Sequence, residues 1–337
     1  MRKAVISIFG LAVVIAVLLV LSLMIGSVDI PAGGIAAVLL GDDTVRTSWR
    51  FIVIESRLPA ALTAMLSGAS LAVSGLLLQT LFHNALAGPD VFGISSGASL
   101  AVAIVMLASG GAMAVGAFTL SGFMAVLMAA FIGAMAVTAL ILMFSSLVRN
   151  GVMLLIIGIM TGYLAGSGIT LLNSMATEEG VKQYVTWGMG TFGNVTMDMM
   201  PPFATVTLAG LFLSLLMVKP MNAMLLGEQY AENLGVSIRK TRNIILLITG
   251  LLTAVATAFC GPVAFIGLAT PHIARLLLGT DDHRRLLPVT MLAGSAIAMA
   301  CNLLCFLPGE DGMLPLNAVT PIVCAPVMIY VIVKRGR

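Results

Sequence analysis

The chain is a series of long, continuous apolar runs, and the short segments between them hold nearly all of its charge. Of its 337 residues, 60% are hydrophobic and only 9% are charged, with 17 basic and 14 acidic side chains. A soluble domain carries about 25% charged residues, and a soluble fold of this length cannot cover its surface with so few. The chain therefore reads as an integral membrane protein. Strands of a transmembrane barrel alternate apolar and polar positions; here the runs are unbroken, so helices are the form in which the backbone satisfies itself in lipid. At about 20 apolar residues per span the length has room for about ten spans with short connections.

Apolar runs bounded by turn signals place helices at about 4–26, 57–82, 93–109, 114–147, 152–174, 200–218, 241–260, 263–278, 287–306 and 314–333. The fourth run is long and must tilt or include an interfacial turn. The run from Val263 to Leu278 is short, flanked by Pro and Gly, and open to being broken rather than straight. Arg2 and Lys3 precede the uncharged stretch Ala4 to Ile25, too long for a signal-peptide core and without a convincing cleavage site, so it reads as a retained first span.

Charge sets the expected orientation. With an even number of spans and the N-terminus in the cytoplasm, the outer segments hold only Arg46, Arg50, Arg57 and Lys182 among the basic residues. The inner segments hold Arg2, Lys3, Arg149, Lys219, Arg239, Lys240, Arg242, Arg275, Arg284, Arg285, Lys334, Arg335 and Arg337. This is the positive-inside pattern, with both termini cytoplasmic. The acids lean outward: Asp29, Asp42, Asp43, Glu55, Glu178, Glu179, Asp198, Glu310 and Asp311.

Chemistry-bearing motifs are sparse. There is no G-x-x-x-x-G-K-[ST] phosphate loop and no H-E-x-x-H, and His83, His272 and His283 are scattered. Gly93-Ile94-Ser95-Ser96-Gly97 matches the G-x-S-x-G pattern, but it opens a membrane helix where a nucleophile elbow needs a preceding strand. Ser95 therefore reads as a helix cap or path-lining residue. Cys260, Cys301, Cys305 and Cys324 lie in apolar surroundings and read as small buried residues, with no disulfide framework, metal site or cofactor implied. No basic cluster with interleaved aromatics points to nucleic acid. No acid or base lies clearly mid-span, since Asp90 is in a loop and Asp198 flanks a span, so an ion- or proton-driven carrier is disfavoured and energy is expected from outside the chain. Gly158, Gly162 and Gly166 form a small-residue ladder that suits close helix packing within the chain better than a subunit interface.

Two loops invite partners. Lys219 to Gly235 is mixed in character and is followed by Arg239, Lys240 and Arg242. Its Met221, Met224, Leu225, Tyr230 and Leu234 give an apolar face too short to span, which fits a helix lying on the cytoplasmic surface, against lipid or a partner. On the outside, Arg57-Leu58-Pro59 sets an isolated arginine at the head of the second span, as an interfacial anchor or a contact.

Arg57-Leu58-Pro59, followed by Ser67-Gly68-Ala69-Ser70-Leu71-Ala72-Val73-Ser74-Gly75, Gln79 and the stretch His83-Asn84-Ala85-Leu86-Ala87-Gly88-Pro89-Asp90-Val91-Phe92-Gly93, resembles the FecCD-type permeases of ABC importers. The likeness continues through Trp187-Gly188-Met189-Gly190, Pro220-Met221-Asn222, Leu226-Gly227-Glu228 and Leu234-Gly235. It is strongest at Gly261 to Leu268, Pro271-His272-Ile273-Ala274-Arg275 and Thr280 to Pro288. That family serves iron–siderophore, haem and cobalamin uptake. The resemblance implies one all-α permease domain over residues 1–337 in the cell (inner) membrane, with about ten transmembrane helices in two inverted halves. It implies a second permease subunit, the same or different, two cytoplasmic ATPase subunits and an extracytoplasmic substrate-binding protein. The chain itself is then no enzyme. Residues 219–237 match the family's coupling-helix loop, which docks on the ATPase through Met221, Leu226, Gly227, Glu228, Leu234 and Gly235. Asn84 and Leu86 match the cytoplasmic gate, and Arg57 matches an arginine that pairs with an acid on the binding protein.

The departures are local. Ala60 stands where the family often has a second arginine, and Ala85 stands for the proline of its N-P-L-A turn. Asn302 to Phe306 lacks the family's usual Asp and Arg, and Met313-Leu314-Pro315-Leu316-Asn317 replaces E-L-P-x-G. These changes point to altered recognition of the binding protein. Rival readings are an ion-coupled secondary transporter working alone, a membrane enzyme using Ser95 or His272, and a scaffold that does not transport.

Overall fold

The structure is a computed structural model that describes residues 2–42, 44–107, 120–148, 151–307 and 312–335. Among the described residues there are helices and turns and no strand. The spans expected from the sequence correspond to α1 (Arg2–Met24), α4 (Leu58–Leu81), α5 (Ile94–Leu107), α6 (Leu120–Leu147) and α7 (Gly151–Met175) in the first half. The second half holds α9 (Met200–Leu216), α12 (Ile238–Cys260), α13 (Ile266–Leu278), α14 (His283–Cys305) and α15 (Leu316–Arg335). Seven of these regions are long and apolar enough to cross a membrane by themselves, while Ile94–Leu107, Ile266–Leu278 and Leu316–Val331 are shorter. The short helices α2 (Ala32–Leu39), α3 (Thr47–Phe51), α8 (Glu178–Gly188), α10 (Val218–Met224) and α11 (Glu228–Asn233) lie between the spans.

Several boundaries shift by a few residues from the sequence reading, α12 starting at Ile238 and α14 at His283 among them, and two differences change the path of the chain. The second span starts earlier: helix is continuous from Thr47, through a π-helical turn at Ile52–Arg57, into α4. Pro59 sits in the first turn of α4, and its ring would clash with the carbonyl four residues back; the wide π turn just before it makes room. The short eighth span begins at Ile266 rather than Val263, because Gly261 at φ 75° and Phe265 at φ 69° turn the chain between α12 and α13. Of the fourth run, residues 114–119 lie outside the described residues, as do Asp43, Arg149, Glu310, Asp311 and Arg337.

The core is built around α4, buried over almost its whole length, whereas α1 and α7 present Val5, Phe9, Val17, Ile156, Met160 and Leu164 outward on the exposed apolar surface. Helix α4 packs along α14, and α12 packs along α6; α5 packs on α6 and α7, and α13 packs on α14 and α15. The second span of each half therefore meets the fourth span of the other. Since α4 ends, and α12 begins, beside the α10–α11 loop, the two halves run in opposite directions, an inverted arrangement. The central crossing is close: a Cβ on Gly68 would run into the Gly294 carbonyl oxygen, so only glycine fits there. The Gly158–Gly162 ladder receives the backbone of Phe92 and Gly93, an internal contact.

Candidate functional site

The loop expected to be one surface helix is two. Gly227, at φ 107°, ends α10 and starts α11, a conformation that disfavours any side chain. The break sorts the apolar residues onto two faces. Met221, Met224 and Ala231 are fully buried in the main hydrophobic core, while Leu226, Tyr230 and Leu234 are 65%, 52% and 60% exposed. Met221 is therefore an anchor of the loop and not part of its outward surface. Gly235, at φ 83°, ends α11, and a Cβ at Gly227 or Gly235 would meet open space. Glu228 pairs with the buried Arg242 of α12, Oε1 to Nη2 3.3 Å, which ties α11 to the membrane domain.

Beside this loop lies the turn that carries Asn84 and Leu86. Helix α4 ends in a Schellman motif: Asn84 N–H donates to Gln79 O at 3.1 Å and His83 N–H to Thr80 O at 3.3 Å, with His83 in the left-handed region at φ 46°. Asn84 Oδ1 then accepts the Leu86 N–H at 2.9 Å, an Asx turn that leaves Leu86 55% exposed. His83 Nε2 donates to Met224 O at 3.0 Å, and His272 Nε2 on α13 donates to Ala85 O at 2.8 Å. Gln79 holds α4 to α13, donating to Leu268 O at 3.1 Å and accepting from Arg275 Nη1 at 2.6 Å, while Arg275 Nε reaches Asp281 Oδ1 at 3.0 Å. Asn222 of α10 donates to Asp282 Oδ1 at 2.8 Å and accepts from His283 at the head of α14. The residues expected to couple and to gate are thus neighbours on one face of the molecule.

Past the turn, Asp90 accepts the Ser95 hydroxyl at 3.1 Å and the backbone N–H of Phe265, so it caps the start of α13 from across the fold. Burial pushes its carboxyl up to about 6, against the pull of those two hydrogen bonds. Ser95 lies in the first turn of α5 and its hydroxyl donates to Asp90 rather than capping the helix, so its role here is a neutral hydrogen bond.

Arg57 lies at the opposite end of α4 and is 7% exposed. Its guanidinium donates to the carbonyls of Leu23 at 2.6 Å, Met24 at 3.0 Å and Val28, fastening the end of α1. It borders a cavity of about 380 Å³ lined by residues that include Ser22, Asn194 and Asn302. Nearby, Asn317 joins three segments: its Nδ2 donates to Gly188 O at 2.8 Å and Pro262 O at 2.6 Å, and its Oδ1 accepts the Ala264 N–H at 3.1 Å. The four cysteines are buried free thiols, and among the described residues no group of His, Cys, Asp or Glu forms a metal site.

The sequence reading missed the partners of Asn222, Glu228, Asp90 and Asn317, of which Asp282 and His283 for Asn222, Phe265 for Asp90, and Gly188 and Pro262 for Asn317 lie far away in the chain. Their signal was present only as motif residues without a role, above all Asn222, Asp282 and His283.

Comparison with known proteins gives the same picture over the whole chain. The profile of the FecCD transport family matches residues 14–334. The vitamin B12 import system permease protein BtuC of Klebsiella pneumoniae is 33% identical over 331 residues, covering 98% of this chain and 94% of that protein. The hemin transport system permease protein HmuU of Yersinia pestis is 30% identical over 322 residues, 94% of each chain. A solved structure described as an inward-facing conformation of a transporter of metal-chelate ABC type superposes with a TM-score of 0.83 at 26% identity, covering 97% of this chain and 98% of that one. A buried glycine crossing, inverted halves and a two-helix loop beside an Asx turn thus sit on a chain that belongs to the FecCD transport family, a multi-pass membrane permease and not an enzyme.

Proposed function

We propose that this chain is the permease subunit of an ATP-driven importer for a large chelate of the cobalamin, haem or iron–siderophore class. The observation that carries this reading is the α10–α11 loop: it is anchored by Met221 and Met224, presents Leu226, Tyr230 and Leu234 outward, and touches the Asn84–Leu86 turn through His83. An outward apolar patch held on buried anchors suits docking of a partner subunit. The named relatives, BtuC and HmuU, are permeases of a vitamin B12 import system and a hemin transport system.

In this reading ATPase subunits bind the face formed by Leu226, Gly227, Glu228, Tyr230 and Leu234 on the cytoplasmic side, where both termini also lie. A second permease copy, identical or related, completes the path, and Asn84 and Leu86 form its cytoplasmic gate. A binding protein delivers cargo to the opposite face. Docking through Arg57 requires its guanidinium to leave the carbonyls of Leu23 and Met24. Few wall charges suit a bulky cargo that must also leave.

Uptake of ferrichrome, haemin and cyanocobalamin into proteoliposomes tests the reading, with the cognate ATPase and binding protein present. Transport of one of them that needs ATP and survives an ionophore supports it. Transport that needs no ATPase and collapses with the ion gradient supports the secondary-carrier reading instead.

A further inference from the structure

All three histidines of the chain, scattered in sequence, bridge separate segments on one face. His83 leads from the gate turn to α10, His272 from α13 to the gate turn, and His283 from α14 to both α10 and α4. The last of these is the most determined. Asn222 Oδ1 faces both the backbone N–H of His283 at 2.8 Å and its ring Nδ1 at 2.9 Å, while Asn222 Nδ2 faces Asp282 Oδ1 at 2.8 Å. A carboxylate oxygen only accepts, so the amide orientation is fixed: Nδ2 donates to Asp282 and Oδ1 accepts twice from His283. His283 therefore carries its proton on Nδ1, which leaves Nε2 as an acceptor. At 2.8 Å from Nε2 sits the Thr80 hydroxyl, in the last turn of α4, whose single proton serves both that nitrogen and the Leu76 carbonyl oxygen at 3.0 Å.

The result is a connected chain, Thr80 to His283 to Asn222, in which both ring nitrogens of His283 are engaged. His283 is fully buried and Thr80 is 4% exposed, so losing the Thr80 hydroxyl or the Asn222 amide strands a ring nitrogen of His283 away from water. Thr80 is also the residue whose carbonyl closes the Schellman turn at His83. The loop is thus joined to the turn by two routes: Met224 O to His83 directly, and Asn222 through His283 to Thr80.

We propose that Asn222, His283, Thr80 and His83 are positioning residues that carry a displacement of the α10–α11 loop to the Asn84–Leu86 turn, with His272 holding the far side of that turn against α13. The inference rests on the reading of α10–α11 as the ATPase-facing loop. Rigid polar links of this kind transmit movement because they have few alternative arrangements.

The test uses the permease assembled with its ATPase and carrying Leu86→Cys. The four native cysteines are buried, so a water-soluble maleimide reports on position 86. Its labelling rate is measured with and without ATP, alongside ATP hydrolysis. The expected result is that ATP changes the rate severalfold, and that adding Thr80→Val or Asn222→Ala cuts this change severalfold while hydrolysis continues. Thr80→Ser, which keeps the hydroxyl, should restore it. His83→Gly supplies a variant that suits the left-handed turn and removes only the direct route from Met224; it should diminish the change. An ATP-dependent change of wild-type size in Thr80→Val and Asn222→Ala overturns the proposal, and so does loss of assembly and hydrolysis in step with labelling, which marks a purely structural role. If ATP has no effect on Leu86→Cys with the chain intact, the gate reading itself fails, a result distinct from failure of the relay.

Discussion

Arg57 donates from Nη1 to the carbonyl oxygen of Leu23, 2.6 Å away, and so binds the head of the second span to the end of the first. The same nitrogen reaches Met24 O at 3.0 Å. These are the carbonyls that a helix C-terminus leaves without partners, and a cation there also answers the helix dipole.

Removing that charge should therefore loosen α1. Arg57→Gln is expected to cost about 2 kcal/mol, the scale of a hydrogen bond to a charged group. Denaturant unfolding in detergent checks it. Gly26→Ala should act in the same direction, because a Cβ there would lie 2.9 Å from the guanidinium. Unchanged stability in both would show that the fastening contributes nothing.

Asn317 stands where the family's E-L-P-x-G has glycine, and it makes three hydrogen bonds to the 188 and 262–264 segments. Asn317→Gly should lose about 2–3 kcal/mol, since each lost bond is worth about 1 kcal/mol. The thermal midpoint in detergent should fall accordingly, and a midpoint equal to wild type would mean that the glycine form packs equally well.

Asp90 gives a pH dependence. Its folded carboxyl is raised from an ordinary 3.8 to about 6, so the folded chain holds the proton more tightly than the unfolded one. Its stabilising contribution is full below about 3.8 and is lost as pH rises through about 6. Asp90→Asn should flatten that fall across the same window when unfolding temperature is followed against pH. Parallel curves for wild type and variant would contradict it.

The spans were legible because lipid allows no other use for long uncharged runs, and the break before Ile266 was signalled by Gly261 and Pro262. The Asn84–Leu86 turn and the α10–α11 loop were legible as motifs. What the sequence concealed was distance. Asn222 and His283 are separated by 61 residues and Gln79 and Arg275 by 196, and neither pairing leaves a periodic signal. The exposed-looking Arg57 was equally opaque: an arginine at a span end reads the same whether it faces solvent or a neighbouring helix terminus. The split of α10 from α11 turned on one positive φ at Gly227, which periodicity does not reveal.

The central claim is that driving force enters through the outward face of α10–α11. ATP-driven uptake by proteoliposomes holding the permease, its ATPase and its binding protein tests it most directly, comparing wild type with Leu226→Arg and Tyr230→Arg. Both side chains are exposed, at 65% and 52%, so the fold should tolerate the changes. The account predicts loss of uptake by about tenfold or more, equivalent to about 1.4 kcal/mol of docking energy, with the folded permease retained. Uptake at the wild-type rate in both variants would contradict it.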